Sequence, residues 1–340
     1  MRTILMIVLF VAFAVPLSAQ DFNRGVDAYR SGDYTTAMNE WRPLAEQGNM
    51  VAQYALGVMY DLGEGVAKDA KQAMKWYSLA AEKGYALAQY NLGIIYEIGE
   101  GVSQDPKQAI KWYRRAAEQD YALAQYALGV MYDLGEGVSK DAKQAIKWYS
   151  LAAEQGYALA QYNLGIIYEI GEGVSQDPKQ AIKWYRRAAE QDYALAQYAL
   201  GVMYDLGEGV SKDAKQAIKW YSLAAEQGYA LAQYALGVIY ERGAGVTLEP
   251  KEAVKWYRRA AEQGYALAQY ALGVMYDNGL GARQDNVLAH MWYNLSAANG
   301  SDLGGKNREV VVKEMTQEDI SKAQSMARKC MDSDYQDCGH

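Results

Sequence analysis

Histidine and cysteine are almost absent, with two of each in 340 residues, beside three phenylalanines and five prolines. So few soft ligands cannot furnish a Cys/His zinc site, and histidine-based acid–base chemistry has only His290 and His340 to draw on. An excess of positive charge is missing too. Lys plus Arg is 34 against 41 Asp plus Glu, for a net charge of -7. Phosphate backbones and anionic lipids require a cationic surface, so no nucleic-acid partner is expected. Acidic turns such as Asp61-Leu62-Gly63-Glu64-Gly65 lack the alternating oxygen ligands of a calcium loop, and no Walker or dinucleotide glycine loop is present. The sequence therefore calls for no metal and no cofactor.

Long apolar runs are also lacking, apart from Ile4 to Val15. Arg2 precedes that run and Pro16-Leu17-Ser18-Ala19-Gln20 follows it, which is the charged, apolar and small-residue order of a secretory signal. Residues 1–19 are read as a leader cleaved after Ala19. As a helix the run spans roughly 18 Å, short of the roughly 30 Å bilayer core. The mature form is expected outside the membrane, in the periplasm or secreted.

What is abundant is tyrosine, with 30, and tryptophan, with 8. The tryptophans fall at 41, 76, 112, 148, 184, 220, 256 and 292, a step of 35 followed by steps of 36. Leu-Gly recurs from Leu56-Gly57 to Leu272-Gly273 with the same step. Seven 36-residue units result: 49–84, 85–120, 121–156, 157–192, 193–228, 229–264 and 265–300. A shortened unit, 20–48, precedes them, and 301–340 forms a terminal lid. Residues 121–156 and 193–228 are identical, as recent tandem duplication produces. Such a period marks units that cannot bury a face alone and must stack on neighbours.

Each unit reads as two helices. Ala88, Leu92, Ile95 and Tyr96 share one side of a first helix that Gly99 ends. Gly93 in its middle costs about 1 kcal/mol relative to Ala, which suggests that another helix backbone passes close by. Asp105, Pro106 and Gln108 open a second helix as cap, first residue and capping-box partner. Ala109, Trp112, Tyr113, Ala116 and Ala117 form its buried side, and Trp76 to Trp256 are read as core. Gly84, Gly156, Gly228, Gly264 and Gly300 stand at left-handed helix stops, where two other units carry Asp120 and Asp192. In the lid, Thr316 caps a helix running to about Met331, with Ile320, Ala323, Ala327 and Cys330 on one side.

The string Ala-x-Ala-Gln-Tyr-x-Leu-Gly-x-x-Tyr-x-x-Gly-x-Gly-Val, then Asp-x-x-x-Ala-x-x-Trp-Tyr-x-x-Ala-Ala, is given in full by residues 86–117. It resembles the Sel-one-like repeat (SLR), a relative of the tetratricopeptide repeat, over residues 49–300. That resemblance implies an all-α fold, a right-handed α/α superhelix or solenoid of helix pairs, acting as an adaptor for protein complexes. Glu249-Pro250 and Gly279-Leu280-Gly281 depart from the pattern, so the contacts of those turns should differ.

Tyr90, Ile94 and Glu97 lie roughly 200, 240 and 180 degrees around the helix from Ala88 and point away from its core side. By resemblance these positions line a concave groove. It would carry Tyr54, Tyr90, Tyr126, Tyr162, Tyr198, Tyr234 and Tyr270, with Asp61, Glu97, Asp133, Glu169, Asp205, Glu241 and Asp277 beside them. Lys111, Arg114 and Arg115, with their equivalents at 183, 186, 187 and at 255, 258, 259, make the second helices more basic. Two readings stand. The tyrosines hold a protein or peptide with basic and apolar side chains, or they stack between repeats and only stabilise the spiral.

Secreted proteins resembling these have been discussed as β-lactamase-like or penicillin-binding, so an envelope enzyme is one alternative. Ser-x-x-Lys, Ser-Asp-Asn and Lys-Thr-Gly are all absent, however, and His290 occupies a helix position beside the core, where packing is the expected role. A peptidoglycan- or glycan-binding module with tyrosines stacked on sugars is the other alternative. Cys330 and Cys338, in a secreted chain, are read as one disulfide tying the tail to the last helix.

Overall fold

The computed structural model describes residues 18–338, with side chains from Phe22 onward. The apolar run expected to act as a leader, before Ser18, and His340 lie outside the described residues. All regular structure described is helical, and the chain forms two compact units, Met1–Gln155 and Gly156–His340. In the first, α1 (Ser18–Arg30), α2 (Tyr34–Glu46), α3 (Met50–Leu62), α4 (Ala70–Glu82), α5 (Ala86–Ile98), α6 (Pro106–Ala117), α7 (Ala122–Leu134) and α8 (Ala142–Glu154) make four helix pairs. In the second, α9 (Ala158–Ile170), α10 (Pro178–Ala189), α11 (Ala194–Leu206), α12 (Ala214–Glu226), α13 (Ala230–Arg242), α14 (Pro250–Ala261), α15 (Ala266–Asn278) and α16 (Asn286–Ala298) make four more. They are followed by α17 (Asp302–Val311), a 3-10 turn (Val312–Glu314) and α18 (Gln317–Asp332). The fold is a helical solenoid of tandem helix pairs.

Local chemistry sets the pair boundaries. Gly99 closes α5 in the left-handed conformation, with its N–H on Ile95 O at 2.9 Å. The Asp105 N–H then reaches back to Tyr96 O at 2.8 Å, turning the chain, and its carboxylate accepts from the N–H groups of Lys107 and Gln108 at 3.0 and 3.1 Å. These bonds satisfy two of the orphan donors at the start of α6. Glu249, where the sequence departs from Asp, makes no side-chain cap bond. Asp120 and Asp192 take φ of 59°, the same left-handed region that Gly84 and Gly156 occupy. A short polar side chain tolerates that region, so these helices stop where the glycine-ended ones do.

Within a pair, the mid-helix glycine faces a ring. It was expected to admit a neighbouring backbone, yet a Cβ on Gly93 would sit 2.3 Å from Tyr113 Cε1, and one on Gly129 would sit 2.6 Å from Tyr149 Cδ1. The residue that takes the core position is therefore the tyrosine after each tryptophan. Tyr113, Tyr149, Tyr185 and Tyr257 are each 1% exposed, whereas Trp76, Trp184 and Trp256 are half-buried at the core's edge. The reading of the tryptophans as core holds for Trp112, Trp148 and Trp220, which are 7–8% exposed, and is corrected for Trp76, Trp184 and Trp256; the tyrosine position also explains the one irregular tryptophan step. In the shortened first pair Trp41 fills the tyrosine position, against Gly25, and is 1% exposed.

Between pairs, a buried glutamine joins three helices. The Gln89 amide donates to Ala81 O at 3.0 Å, at the end of α4, and its oxygen accepts from Gln119 at 2.7 Å, just past α6. Gln125, Gln197, Gln233 and Gln269 repeat the donated bond at 3.0 to 3.2 Å. In the first full repeat Lys83 replaces the bridging glutamine. Its ammonium turns to Gly48 O, and the buried Gln53 oxygen finds no partner among the described residues. At the far end α17 was not anticipated from the sequence. Asn307 on it donates to the Tyr270 hydroxyl at 3.2 Å, closing the last pair.

Two stability measurements follow. Gly129→Ala should lower the free energy of unfolding by about 1–3 kcal/mol in a urea titration, because overpacking against the Tyr149 ring exceeds alanine's helix gain of about 1 kcal/mol. Lys83→Gln should raise it by about 1 kcal/mol, by giving the buried Gln53 oxygen its donor.

Candidate functional site

Every tyrosine of the expected groove is half-buried. In the first unit Tyr54 packs on Tyr77 of its own pair at 5.6 Å between centroids, and edge-on to Tyr85 of the next pair at 5.2 Å. Tyr90 does the same with Tyr113 and Tyr121, and Tyr126 packs on Tyr149 at 5.7 Å. In the second unit Tyr162, Tyr198 and Tyr234 each meet two rings at 5.3 to 5.6 Å, and Tyr270 meets Tyr293 at 5.9 Å. The angular reading placed these side chains away from the core. A helix in a stack has neighbours on several sides, so a position that is outward on an isolated helix here reaches the next pair. Each ring thus stacks between repeats and also keeps part of its surface open.

The carboxylates hold the buried tyrosines. The Tyr113 hydroxyl donates to Glu97, Tyr185 to Glu169, Tyr257 to Glu241 at 2.5 Å, Tyr293 to Asp277 at 3.0 Å and Tyr149 to Asp133 at 3.4 Å. Asp61 and Asp205 lie close enough to Tyr77 and Tyr221 to act on those hydroxyls. Burial, and then the adjacent carboxylate, pushes the hydroxyls of Tyr113, Tyr221 and Tyr257 far above the ordinary tyrosine range. A phenol kept neutral is a permanent donor, so each acid that accepts such a bond is fixed in place while its charge stays at a half-buried position; the buried Tyr77 hydroxyl makes no such bond among the described residues. The shortened pair obtains the same service from a turn residue that the sequence reading passed over, since Tyr29 and Tyr34 both donate to Glu64.

The second helices carry the basic side chains. The Arg115, Arg187 and Arg259 guanidinium groups lie 4.7 to 4.8 Å over the rings of Trp112, Trp184 and Trp256, a cation–π contact that covers the outer face of each ring. Arg114 and Arg186 instead donate to Tyr132 and Tyr204 of the following pair at 2.5 and 2.6 Å. A cavity of about 310 Å³ lies on this face, lined by Gln180, Lys183, Trp184, Arg186, Arg187 and Glu190.

His290 is buried on α16 within the last pair, and burial together with the Arg308 charge holds its imidazole below the ordinary range. Cys330 and Cys338 form a disulfide, and both are buried. The loop it closes places the Tyr335 hydroxyl 2.9 Å from Asn299 Oδ1 and pairs Lys329 with Asp337 at 2.6 Å. Among the described residues no three His, Cys, Asp or Glu side chains group to hold a metal, and no helix is long and apolar enough to cross a membrane.

The Sel1 repeat model matches seven times, at residues 51–85, 86–121, 122–157, 158–193, 194–229, 230–265 and 266–301. A Sel1 repeat protein from Oxalobacter formigenes is similar in structure, with a TM-score of 0.71 and 34% identity over 87% of this chain and 88% of that one. A protective antigen of uropathogenic Escherichia coli strains that displays an SLR fold has a TM-score of 0.60 and 33% identity over 94% of this chain and 78% of that one. No curated protein matches significantly.

The tyrosine–carboxylate pairs should make the protein sensitive to alkali. Hydroxyl pKa values raised on folding add stability that is complete below the unfolded value of about 10 and is lost as pH rises above it. Thermal midpoints measured from pH 8 to 11 should fall steeply beyond about pH 10. In Tyr113→Phe/Tyr185→Phe the fall should be shallower; an unchanged slope would remove these hydroxyls from the account.

Proposed function

Because the chain belongs to the Sel1 repeat family, a family of protein-interaction scaffolds, we propose that it holds a protein or peptide partner along its tyrosine-bearing face. The partner would present apolar and basic side chains. One observation carries this reading: within each unit the same half-open tyrosine, with a carboxylate two turns further along, recurs in the same setting from repeat to repeat. Half-open tyrosine offers apolar area and a hydroxyl at little cost in side-chain entropy, and its packing against neighbouring rings has already removed most of its freedom. The carboxylates favour lysine or arginine opposite them.

The function is non-catalytic on this reading, in keeping with Sel1 repeat proteins generally. Its place is the cell envelope, reached by way of the N-terminal leader; the charged, apolar and small-residue order of residues 1–19 supports this.

The test is cross-linking of the mature protein in cells, followed by mass spectrometry. Tyr90→Ser/Tyr126→Ser should lose the partners that the unaltered protein captures, while Tyr90→Phe/Tyr126→Phe keeps at least part of them, because the rings remain. Equal capture by the serine variant, with helicity matched by circular dichroism, would refute a tyrosine-based surface.

A further inference from the structure

The last residue of each first helix, directly before its closing glycine, is a large aliphatic side chain in five consecutive repeats: Leu62, Ile98 and Leu134 in the first unit, Ile170 and Leu206 in the second. All are exposed, from 49% at Leu62 to 62% at Leu134. Capping does not require them, since the closing bonds run through backbone groups, as in Gly63 N–H to Met59 O at 2.9 Å. One exposed leucine is ordinary. The same corner of successive stacked pairs left apolar is an organised strip, and such strips mark interaction sites.

The surroundings of the strip are acidic on balance, with Glu100 paired to Lys68 at 2.7 Å and Lys212 3.9 Å from Asp205. Each of these residues is preceded by a carboxylate (Asp61, Glu97, Asp133, Glu169, Asp205) and followed two positions later by another (Glu64, Glu100, Glu136, Glu172, Glu208). The strip also has an end. At the equivalent positions of the next two repeats stand Arg242 and Asn278, and at Ala244 and Leu280 the following glutamate is gone as well. The aliphatic rung and the carboxylate that follows it stop together, while the preceding carboxylate persists as Glu241 and Asp277.

We infer that the aliphatic rungs Leu62, Ile98 and Leu134 are the anchoring contacts of the first unit for a peptide segment that alternates aliphatic and basic residues, and that Ile170 and Leu206 form a shorter version in the second unit. The inference rests on the proposed scaffold function and deepens it. The rungs supply the apolar contact, the carboxylates beside them select cationic neighbours, and the tyrosines form the adjoining wall. Burying an aliphatic side chain against a partner contributes binding energy in proportion to the area removed from water, and charge placed around an apolar centre sets selectivity.

The full-length protein would be titrated with three labelled synthetic peptides of equal length, followed by fluorescence anisotropy: lysine–leucine, lysine–serine and glutamate–leucine. The lysine–leucine peptide should bind and the other two should not, since each lacks one of the two required features. Leu62→Gln/Ile98→Gln/Leu134→Gln should weaken binding by about tenfold per rung. Ile170→Gln/Leu206→Gln should weaken it less. Because all five side chains are exposed, thermal midpoints should stay unchanged. Binding that survives the triple Gln variant but is lost in Tyr90→Ser/Tyr126→Ser would overturn the rungs and leave the scaffold reading intact. Absence of binding by the unaltered protein would overturn both. A monodisperse dimer that the triple variant converts to monomer would assign the strip to self-association and likewise overturn the proposal.

Discussion

The constraint on which the molecule depends is a tyrosine ring packed against a glycine. Gly93 in α5 concedes about 1 kcal/mol of helix propensity, and in exchange the Tyr113 ring is almost wholly removed from water, which is worth about 2–3 kcal/mol in apolar burial alone. Alanine could not be accommodated, since its methyl would overlap the ring. Much else follows. The hydroxyl at the end of that ring must find an acceptor, which places a carboxylate at the end of the first helix. The adjacent tryptophan packs at the outer side of the core, buried in Trp112 and Trp148 and half-buried in Trp184, and an arginine or lysine lies over its ring.

A glutamine does between repeats what the tyrosine does within them. Gln89 is 3% exposed, yet its amide group is satisfied on both sides by groups of two other helices. A buried polar group earns its place only when fully bonded, and the bonds then fix one arrangement out of many. Slippage of one pair along the next would break a donor and an acceptor at once. Apolar contact between such similar helices would tolerate slippage; the glutamine does not. Stacking register in this fold is thus a polar specification laid over an apolar core.

Helix existence, the pairing of helices and the capping residues were legible from period and turn chemistry, because each is decided within a few residues of chain. The partner of Gly93 was not. Periodicity says that something approaches a glycine closely, and only the crossing of two helices says whether it is a backbone or a ring. The Trp–Tyr dipeptide misled in part: tryptophan is the more conspicuous residue, but the ring that faces the glycine is its neighbour, and the tryptophan itself is buried in some repeats and half-buried in others. The single step of 35 between Trp41 and Trp76 was the one signal that could have revealed this, since Trp41 is in phase with Tyr77. The tyrosine positions of the groove were found by angle, but their half-buried state depends on the next pair, which an isolated helical wheel omits. Helix α17 escaped because Gly304 and Gly305 interrupt any apolar pattern. Gly304 is needed where the chain lies against Ser296.

Near-identity of the repeats has a consequence for recognition. A surface built from copies offers a partner several equivalent registers, and affinity then rises with the number of rungs engaged while placement remains degenerate. Placement has to come from residues that break the repetition. In the first unit these are Lys83, which alters the joint between the shortened pair and the first full repeat, and Glu64, which is shared with Tyr29 and Tyr34 of the shortened pair. In the second they are Arg242, Asn278 and the closing helices that bond Tyr270 and Tyr293 through Asn307. Duplication multiplies contact area cheaply, whereas the few divergent positions carry the information about where a ligand begins and ends. Specificity in such a protein is a difference between registers of one ligand as much as a difference between ligands.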